Sequence, residues 1–295
     1  MSLVATLIAN PLRPAVTAGL ADRAMTALRA TGLVWLAEGV AADIALPAGT
    51  TSAEAQAALA EVVDGEPVDT AVQQAASRRK KLLLADMDST KIDQECIDEL
   101  ADEVGLKDRV AEITARSMNG EIAFEPALRE RVALLAGLET AVIGRILDTR
   151  ITLAAGGREL VATMNRAGAW TALVSGGFMA FTDPIAARLG FRENRANLLL
   201  AEGDRLTGKV AEPILGRAAK AQALTEIAAR LGIGTQDAIA VGDGANDLDM
   251  LAMAGTGVAL HAKPAVAAQA QFRIDHGDLT ALLYLQGFRR EEFVA

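Results

Sequence analysis

The sequence predicts a parallel α/β domain carrying a helical cap inserted after its first strand, with a small α+β unit ahead of it. Three observations lead there. From residue 82 onward, short apolar runs alternate with helical patterns, as in a parallel sheet with crossover helices. The first two of those runs lie about 80 residues apart, far more than one crossover helix needs. Residues 1–77 have a different texture and end in the polar segment QQAASRRKK, which reads as a linker.

In the first unit, residues 3–9 (LVATLIA) and 33–46 (LVWLAEGVAADIAL) read as strands. Helical periodicity runs through 17–30 and again through 52–63. The domain from residue 78 to 295 offers strands at 82–86, 169–174, 237–242, 256–260 and 272–275. Four of them run into DMDST, SGG, GDGAND and HAKP. Ligands of open α/β sheets bind beyond the carboxyl ends of the strands, so these turns are expected to converge. Residues 94–149 lack strand alternation and are amphipathic at 94–104 and 125–135, which predicts a mostly helical cap over that edge. Residues 196–214, around EGDRLTG, read as a hairpin.

Composition narrows the function classes. A formal charge of −9 and an isoelectric point near 4.9 argue against an electrostatic grip on nucleic acid or an anionic membrane. The longest uncharged stretch, Ala167 to Thr182, has 16 residues and three glycines, short of a membrane span. The start MSLVATLIANPLRP lacks the basic opening of a secretory signal, and the single cysteine, Cys96, forms no intramolecular disulfide; cytoplasm is the expected location.

The inventory of reactive side chains removes several chemistries. Only His261 and His276 are present, neither near an activated serine, which argues against a Ser-His-Asp hydrolase and a histidine-rich zinc site. Cys96 is followed at the sixth position by Asp102 and not by an arginine, so the phosphate loop of a cysteine phosphatase is lacking. Carboxylates remain, concentrated at strand ends: Asp86 and Asp88 after one strand, Asp243 and Asp247 after another. Four such groups repel unless a divalent cation offsets them, and Mg²⁺ suits a few carboxylates plus phosphate oxygens. A carboxylate aimed at phosphorus is a covalent nucleophile, and a second one two residues on can move protons. Ser175, Gly176 and Gly177, read as the turn into a helix, offer a hydroxyl and open backbone N–H groups to an anion. Lys220, opening AKAQALTEIAARLG, offers a cation to the transferred group.

In their order and spacing these fragments resemble the haloacid dehalogenase superfamily of phosphatases: D-x-D-x-T as Asp86-Met87-Asp88-Ser89-Thr90, then Ser175, Lys220, and G-D-x-x-N-D as Gly242 to Asp247. Within it, DMDSTKIDQECIDELA, TARSMNGEIAFEPALRERVALL, VSGGF, EGDRLTGKV and VGDGANDLDML resemble the phosphoserine phosphatase family, over about residues 80–280. The resemblance implies a Rossmann-like sheet and a Mg²⁺-dependent phosphoric monoester hydrolase acting on a small molecule, O-phospho-L-serine, through an aspartyl phosphate. It implies Asp86 as nucleophile and Asp88 as acid and base, with Mg²⁺ held by Asp86, the Asp88 carbonyl and Asp243 and supported by Asp247. Ser175, Gly176, Lys220 and Asn246 would hold the phosphoryl group and substrate, Glu95 its ammonium and Arg131 its carboxylate, with Met118 and Phe124 closing over it. It also suggests an ACT-like N-terminal unit, compatible with binding a regulator, forming a homodimer or packing on the core. Two rivals stay open: action on another small phosphate ester such as phosphohomoserine, and an amino acid sensor. A phospho-accepting signalling module has no need of Asp88 or of a cap.

Overall fold

In a computed structural model, which describes residues 2–118 and 121–295, the first apolar run is β1 (Leu3–Ala9), buried along all but its first residue. It is followed by α1 (Ala18–Ala27), β2 (Leu33–Ala37), β3 (Ala41–Ala45), α2 (Ser52–Val62) and β4 (Val68–Gln74), with an antiparallel sheet ordered β2-β3-β1-β4. Thr17 caps α1 by accepting the Leu20 N–H, and a reciprocal Thr51–Glu54 capping box starts α2. Two details depart from the sequence expectation. The run 33–46 is not one strand but a hairpin, broken where Gly39 takes φ +74°. The polar VDTAVQQ, which carries little strand signal, is the edge strand β4, and QQAASRRKK begins inside it.

The second sheet is parallel and six-stranded. Its strands are β5 (Leu82–Ala85), β6 (Trp170–Phe178), β7 (Glu193–Asn197), β10 (Ala238–Gly242), β11 (Thr256–Leu260) and β12 (Phe272–Ile274), in the order β12-β11-β10-β5-β6-β7. All the strands expected here form; β7, with the sequence ENRAN, was not foreseen because an edge strand of polar residues has no apolar run to betray it. The expected hairpin is β8 (Leu199–Glu202) with β9 (Arg205–Val210). The cap consists of α3 (Cys96–Glu103), α4 (Lys107–Met118), α5 (Phe124–Ala133) and α6 (Ala141–Thr149). The crossover and flanking helices are α7 (Gly157–Arg166), α8 (Met179–Leu189), α9 (Arg217–Arg230), α10 (Leu248–Met253), α11 (Pro264–Ala267) and α12 (Ala281–Leu285).

Register decides where chemistry can gather. Leu82 lies opposite both Trp170 and Ala238, and Ala85 opposite Leu173 and Val241. The Asp86 N–H extends the ladder to the Val241 carbonyl at 3.0 Å. The residues after β5, β6 and β10 therefore emerge side by side at one carboxyl edge.

The basic segment is no slack linker. Arg78 pairs with the buried Asp43 of β3 at 2.7 Å, Arg79 stacks 3.4 Å over the Phe288 ring and pairs with Glu292, and Lys80 donates to the Gln236 carbonyl at 2.9 Å. Asp69 of β4 accepts the backbone N–H groups of Asp275, His276 and Gly277. Burial raises the Asp69 carboxyl despite those three bonds, so the clamp itself is well enclosed. The N-terminal sheet thus packs on the core through directed polar contacts.

One buried group stands out as unfavourable. Lys91, just after the D-x-D-x-T loop, is fully buried, and among the described residues its Nζ has no hydrogen-bond partner; the nearest compensation is the Phe191 ring at 5.9 Å. Burial lowers its pKa from 10.5 to about 7. The unfolded chain therefore binds this proton more tightly, so stability rises with pH between about 7 and 10.5 and the full penalty, roughly 3 to 5 kcal/mol, applies below 7. Lys91→Met is expected to raise stability by that order at pH 6 and by progressively less toward pH 10, measured by chemical denaturation at each pH. A gain independent of pH would show that the Lys91 pKa is the same in the folded and the unfolded chain.

Candidate active site

Asp86 leaves the end of β5 into an ionic cluster. Its Oδ1 lies 2.7 Å from Lys220 Nζ, which also donates to Asp247 Oδ1 at 2.7 Å. Lys220 reaches this point because α9 turns its Lys220, Ala223, Leu224 and Ile227 side inward. Both Lys220 and Asp247 are wholly buried. Burial and the neighbouring Asp247 charge push the Asp86 carboxyl well up, against the pull of Lys220. Burial works against the lysine's charge too, yet the carboxylates of Asp247 and Asp86 hold it above the ordinary range. Lys220 therefore sits beneath the cavity, behind the nucleophile candidate, and does not line it.

Asp88 turns the other way. Its Oδ1 accepts the Cys96 N–H at the start of α3 (2.9 Å), and its Oδ2 lies 3.4 Å from Ser175 Oγ. Burial raises its pKa and the Cys96 N–H opposes that rise, which leaves a carboxyl suited to carrying a proton. The Ser175–Gly177 stretch is not yet a helix: β6 continues through it with a register shift against β7, and α8 begins only at Met179. Glycine is required at 177 because a Cβ there would stand 2.8 Å from Asp88 Oδ2. The Gly177 N–H donates to Ser175 Oγ at 2.9 Å.

The donor set fits a divalent cation. Asp86, Asp243 and Asp247, all buried, each offer a ligand oxygen within 4.8 Å of the others. Asp86 Oδ1, though close to Lys220, has no properly directed hydrogen bond. Burial and the Asp247 charge also raise Asp243, which Thr90 Oγ1 (3.2 Å) and the charge of Lys263 counter. The charges of Lys220 and Lys263 do not offset three carboxylates, and a hard ion on oxygen donors is the natural remedy. The Asp88 carboxylate is outside this cluster and engaged elsewhere, so only its backbone carbonyl is left for the metal role expected of it.

Above the cluster lies a cavity of about 510 Å³. The four strand-end turns converge on it as expected, through Asp86, Ser175, Asp243 and Lys263, with Asn246 and Gly176 beside them. Glu95, Phe124 and Arg131 line it from the cap side. Met118 ends α4, and its side chain lies outside the described residues. Phe124 closes over the core where two glycines admit its ring: a Cβ on Gly176 or Gly216 would meet it at 3.2 or 3.1 Å. Glu95 is reached by solvent through the cavity, yet protein surrounds the cavity; that enclosure and the Asp88 charge push its carboxyl up to about 7, while Ser89 Oγ donates to it at 2.7 Å. Arg131 donates to the Ala127 carbonyl and Thr114 Oγ1, each at 3.2 Å, and among the described residues no carboxylate lies within salt-bridge distance of it. Lys263, Ser89 and Thr90 also take part, from the turns HAKP and DMDST, although nothing in the sequence marks them out from their neighbours.

The haloacid dehalogenase-like hydrolase family model matches residues 83–252. A phosphoserine phosphatase of Albidiferax ferrireducens is 47% identical over 210 residues, covering 70% of this chain and 89% of that protein. A phosphoserine phosphatase of Streptomyces coelicolor is 42% identical over 249 residues, 84% of this chain, but the chain spans only 60% of that relative's length. Among solved structures, a hydrolase of this family from Salmonella enterica serovar Typhi aligns with a TM-score of 0.86 at 30% identity, covering 96% of this chain and 98% of the other. Nearly the whole length therefore shares one architecture with a hydrolase of this kind, and the chain belongs to the haloacid dehalogenase-like hydrolase family.

Proposed function

We propose that the protein hydrolyses O-phospho-L-serine to L-serine and phosphate, the last step of serine synthesis, through an aspartyl phosphate on Asp86. The observation that carries this reading is a cavity with nucleophile, proton carrier and anion-binding groups at its floor and an anion–cation pair, Glu95 and Arg131, toward the cap. A zwitterion bearing a phosphate needs all of these. The relatives named for phosphoserine hydrolysis support the same substrate. We also take the chain to divide near residue 77, with the phosphatase domain beginning at residue 78.

In this mechanism Asp86 attacks phosphorus while Asp88, whose pKa burial has raised, gives its proton to the departing serine oxygen. Asp88 then takes a proton from the water that hydrolyses the aspartyl phosphate. Ser175 and the Gly176 N–H receive phosphoryl oxygens, with Asn246 across the cavity. Lys220 acts through Asp86, its charge 2.7 Å away favouring the carboxylate form of the nucleophile against the burial that raises its pKa. Mg²⁺, held by Asp86, Asp243 and the Asp88 carbonyl with Asp247 in support, would supply charge neutralisation for the carboxylates and the phosphoryl group. On the cap side, Glu95 takes the ammonium, Arg131 the carboxylate, and Phe124 excludes water.

Asp86→Asn is expected to lower phosphate release by at least about three powers of ten while circular dichroism stays native, because an amide is no nucleophile. Asp88→Asn is expected to accumulate phosphorylated protein, visible by mass spectrometry, since hydrolysis of the intermediate needs the base. Full turnover by either variant removes that residue from the mechanism.

Chelation of divalent cations is expected to stop phosphate release, with Mg²⁺ restoring it and Ca²⁺ restoring little, since calcium takes more ligands at longer distances. Equal rescue by both ions would contradict the metal role.

Glu95→Ala and Arg131→Ala test the substrate itself. Loss of a charged partner in a desolvated site costs on the order of 2 to 5 kcal/mol. kcat/KM for phosphoserine is therefore expected to fall by roughly one and a half to three and a half powers of ten, and that for a small aryl phosphate to change little. In the unaltered protein, phosphoserine kcat/KM is expected to rise with pH as Glu95 ionises near 7, more steeply than for the aryl ester. Equal losses on both substrates would assign these residues to the fold and not to recognition of an amino acid.

A further inference from the structure

The turn after β11 enters the cavity with Lys263, and nothing in the mechanism above uses that residue. Lys263 lines the cavity together with Asp243. Its positive charge reaches Asp243, which lines the same cavity. A cation in the lining adds positive potential to the space in which a phosphate would lie.

The turn is set by an unusual backbone. His261, two residues before Lys263, has φ +44°, a left-handed conformation that a side chain of this size adopts only when its surroundings impose it. Two hydrogen bonds do so. The His261 N–H donates to the Ile274 carbonyl at the end of β12, and its Nε2 lies 2.8 Å from the Gly277 carbonyl. A carbonyl only accepts, so Nε2 carries the hydrogen. Gly277 is itself clamped: its N–H donates to Asp69 Oδ2 at 2.7 Å, and a Cβ would meet Ala281, Asp69 and Ile274 each at 3.2 Å. Asp69 Oδ1 takes the Asp275 N–H at 2.8 Å. Asp69 belongs to β4, on the N-terminal sheet.

We propose that Lys263 is a phosphate-binding residue of the cavity and that Asp69 of the N-terminal sheet is a positioning residue for it, acting through the Gly277 peptide and His261. This deepens the phosphatase reading and rests on it. The N-terminal unit is then a structural part of the phosphate site, reached through one carboxylate, one peptide and one imidazole.

A double-variant cycle tests it, read out by KM and kcat for an aryl phosphate and by the affinity of inorganic phosphate measured by calorimetry. Lys263→Met is expected to raise both KM and the phosphate Kd about tenfold, with kcat changed by no more than about twofold. Asp69→Asn, with native circular dichroism, is expected to raise the same two quantities about three- to fivefold and to add nothing in the Lys263→Met background. If Asp69→Asn does not fold, His261→Ala cuts the same path and is expected to behave alike. An unchanged phosphate Kd in Lys263→Met overturns the binding role. Equal effects of Asp69→Asn in the presence and absence of Lys263 overturn the coupling. Because neither probe contains serine, failure of the phosphoserine assignment leaves these outcomes readable.

Discussion

Everything at the carboxyl edge depends on one buried ammonium. Lys220 lies between Asp86 and Asp247 with no access to solvent, so both carboxylates are set by a partner that water cannot replace. Such a cluster is costly to desolvate, and breaking one member leaves a bare buried charge. The fold accepts that cost because Lys220 opposes the burial and the Asp247 charge that together drive the Asp86 pKa up. The central place of β5, between β10 and β6, follows from the same need: only there can residues from α9 and the turn after β10 surround the nucleophile.

Asp88 joins this floor to the cap. Its carboxylate accepts the N–H of Cys96 at the start of α3 and approaches Ser175 on the other side. The proton carrier is therefore held jointly by the first residue of the cap helices and by the bulged end of β6. Glu95 precedes Cys96, so the group assigned to the substrate ammonium and the group assigned to its leaving oxygen hang from one short segment. Phe124 seats the far side of the cap on two glycines of the core. Selectivity and proton transfer share a frame, so a change in one is felt by the other.

Much of this was legible in the sequence because the chemistry is local. D-x-D-S-T, SGG and GDGAND end strands whose apolar runs are unmistakable, and a carboxylate at such a place has few structural reasons to exist. Lys220 was legible as a helix residue, but its complete burial was not, since helical position does not tell whether a lysine faces water or a carboxylate pair. The edge strands β4 and β7 were missed for a common reason: an edge strand needs less apolar sequence than a central one. QQAASRRKK looked like a linker because polarity is shared by solvated chain and by chain anchored through ion pairs; only the partners Asp43, Glu292 and the Phe288 ring separate the two. Lys263 and Lys91 escaped because a lone lysine carries no pattern.

The placement of the cap between β5 and β6 has a consequence for how the protein is made. On the ribosome, the N-terminal sheet can close as soon as β4 emerges, since its strands are near in sequence. The nucleophile emerges next, but Lys220 and the turn after β10 follow only after the whole cap and the hairpin. Until then Asp86 lacks its cation, and β5 lacks its neighbour β10. A nascent chain therefore carries the D-x-D-S-T loop for most of its synthesis without an assembled catalytic floor. Residues 275–277, which Asp69 grips, emerge only after all six strands of the parallel sheet, so the N-terminal sheet cannot make that contact until the second sheet has been translated.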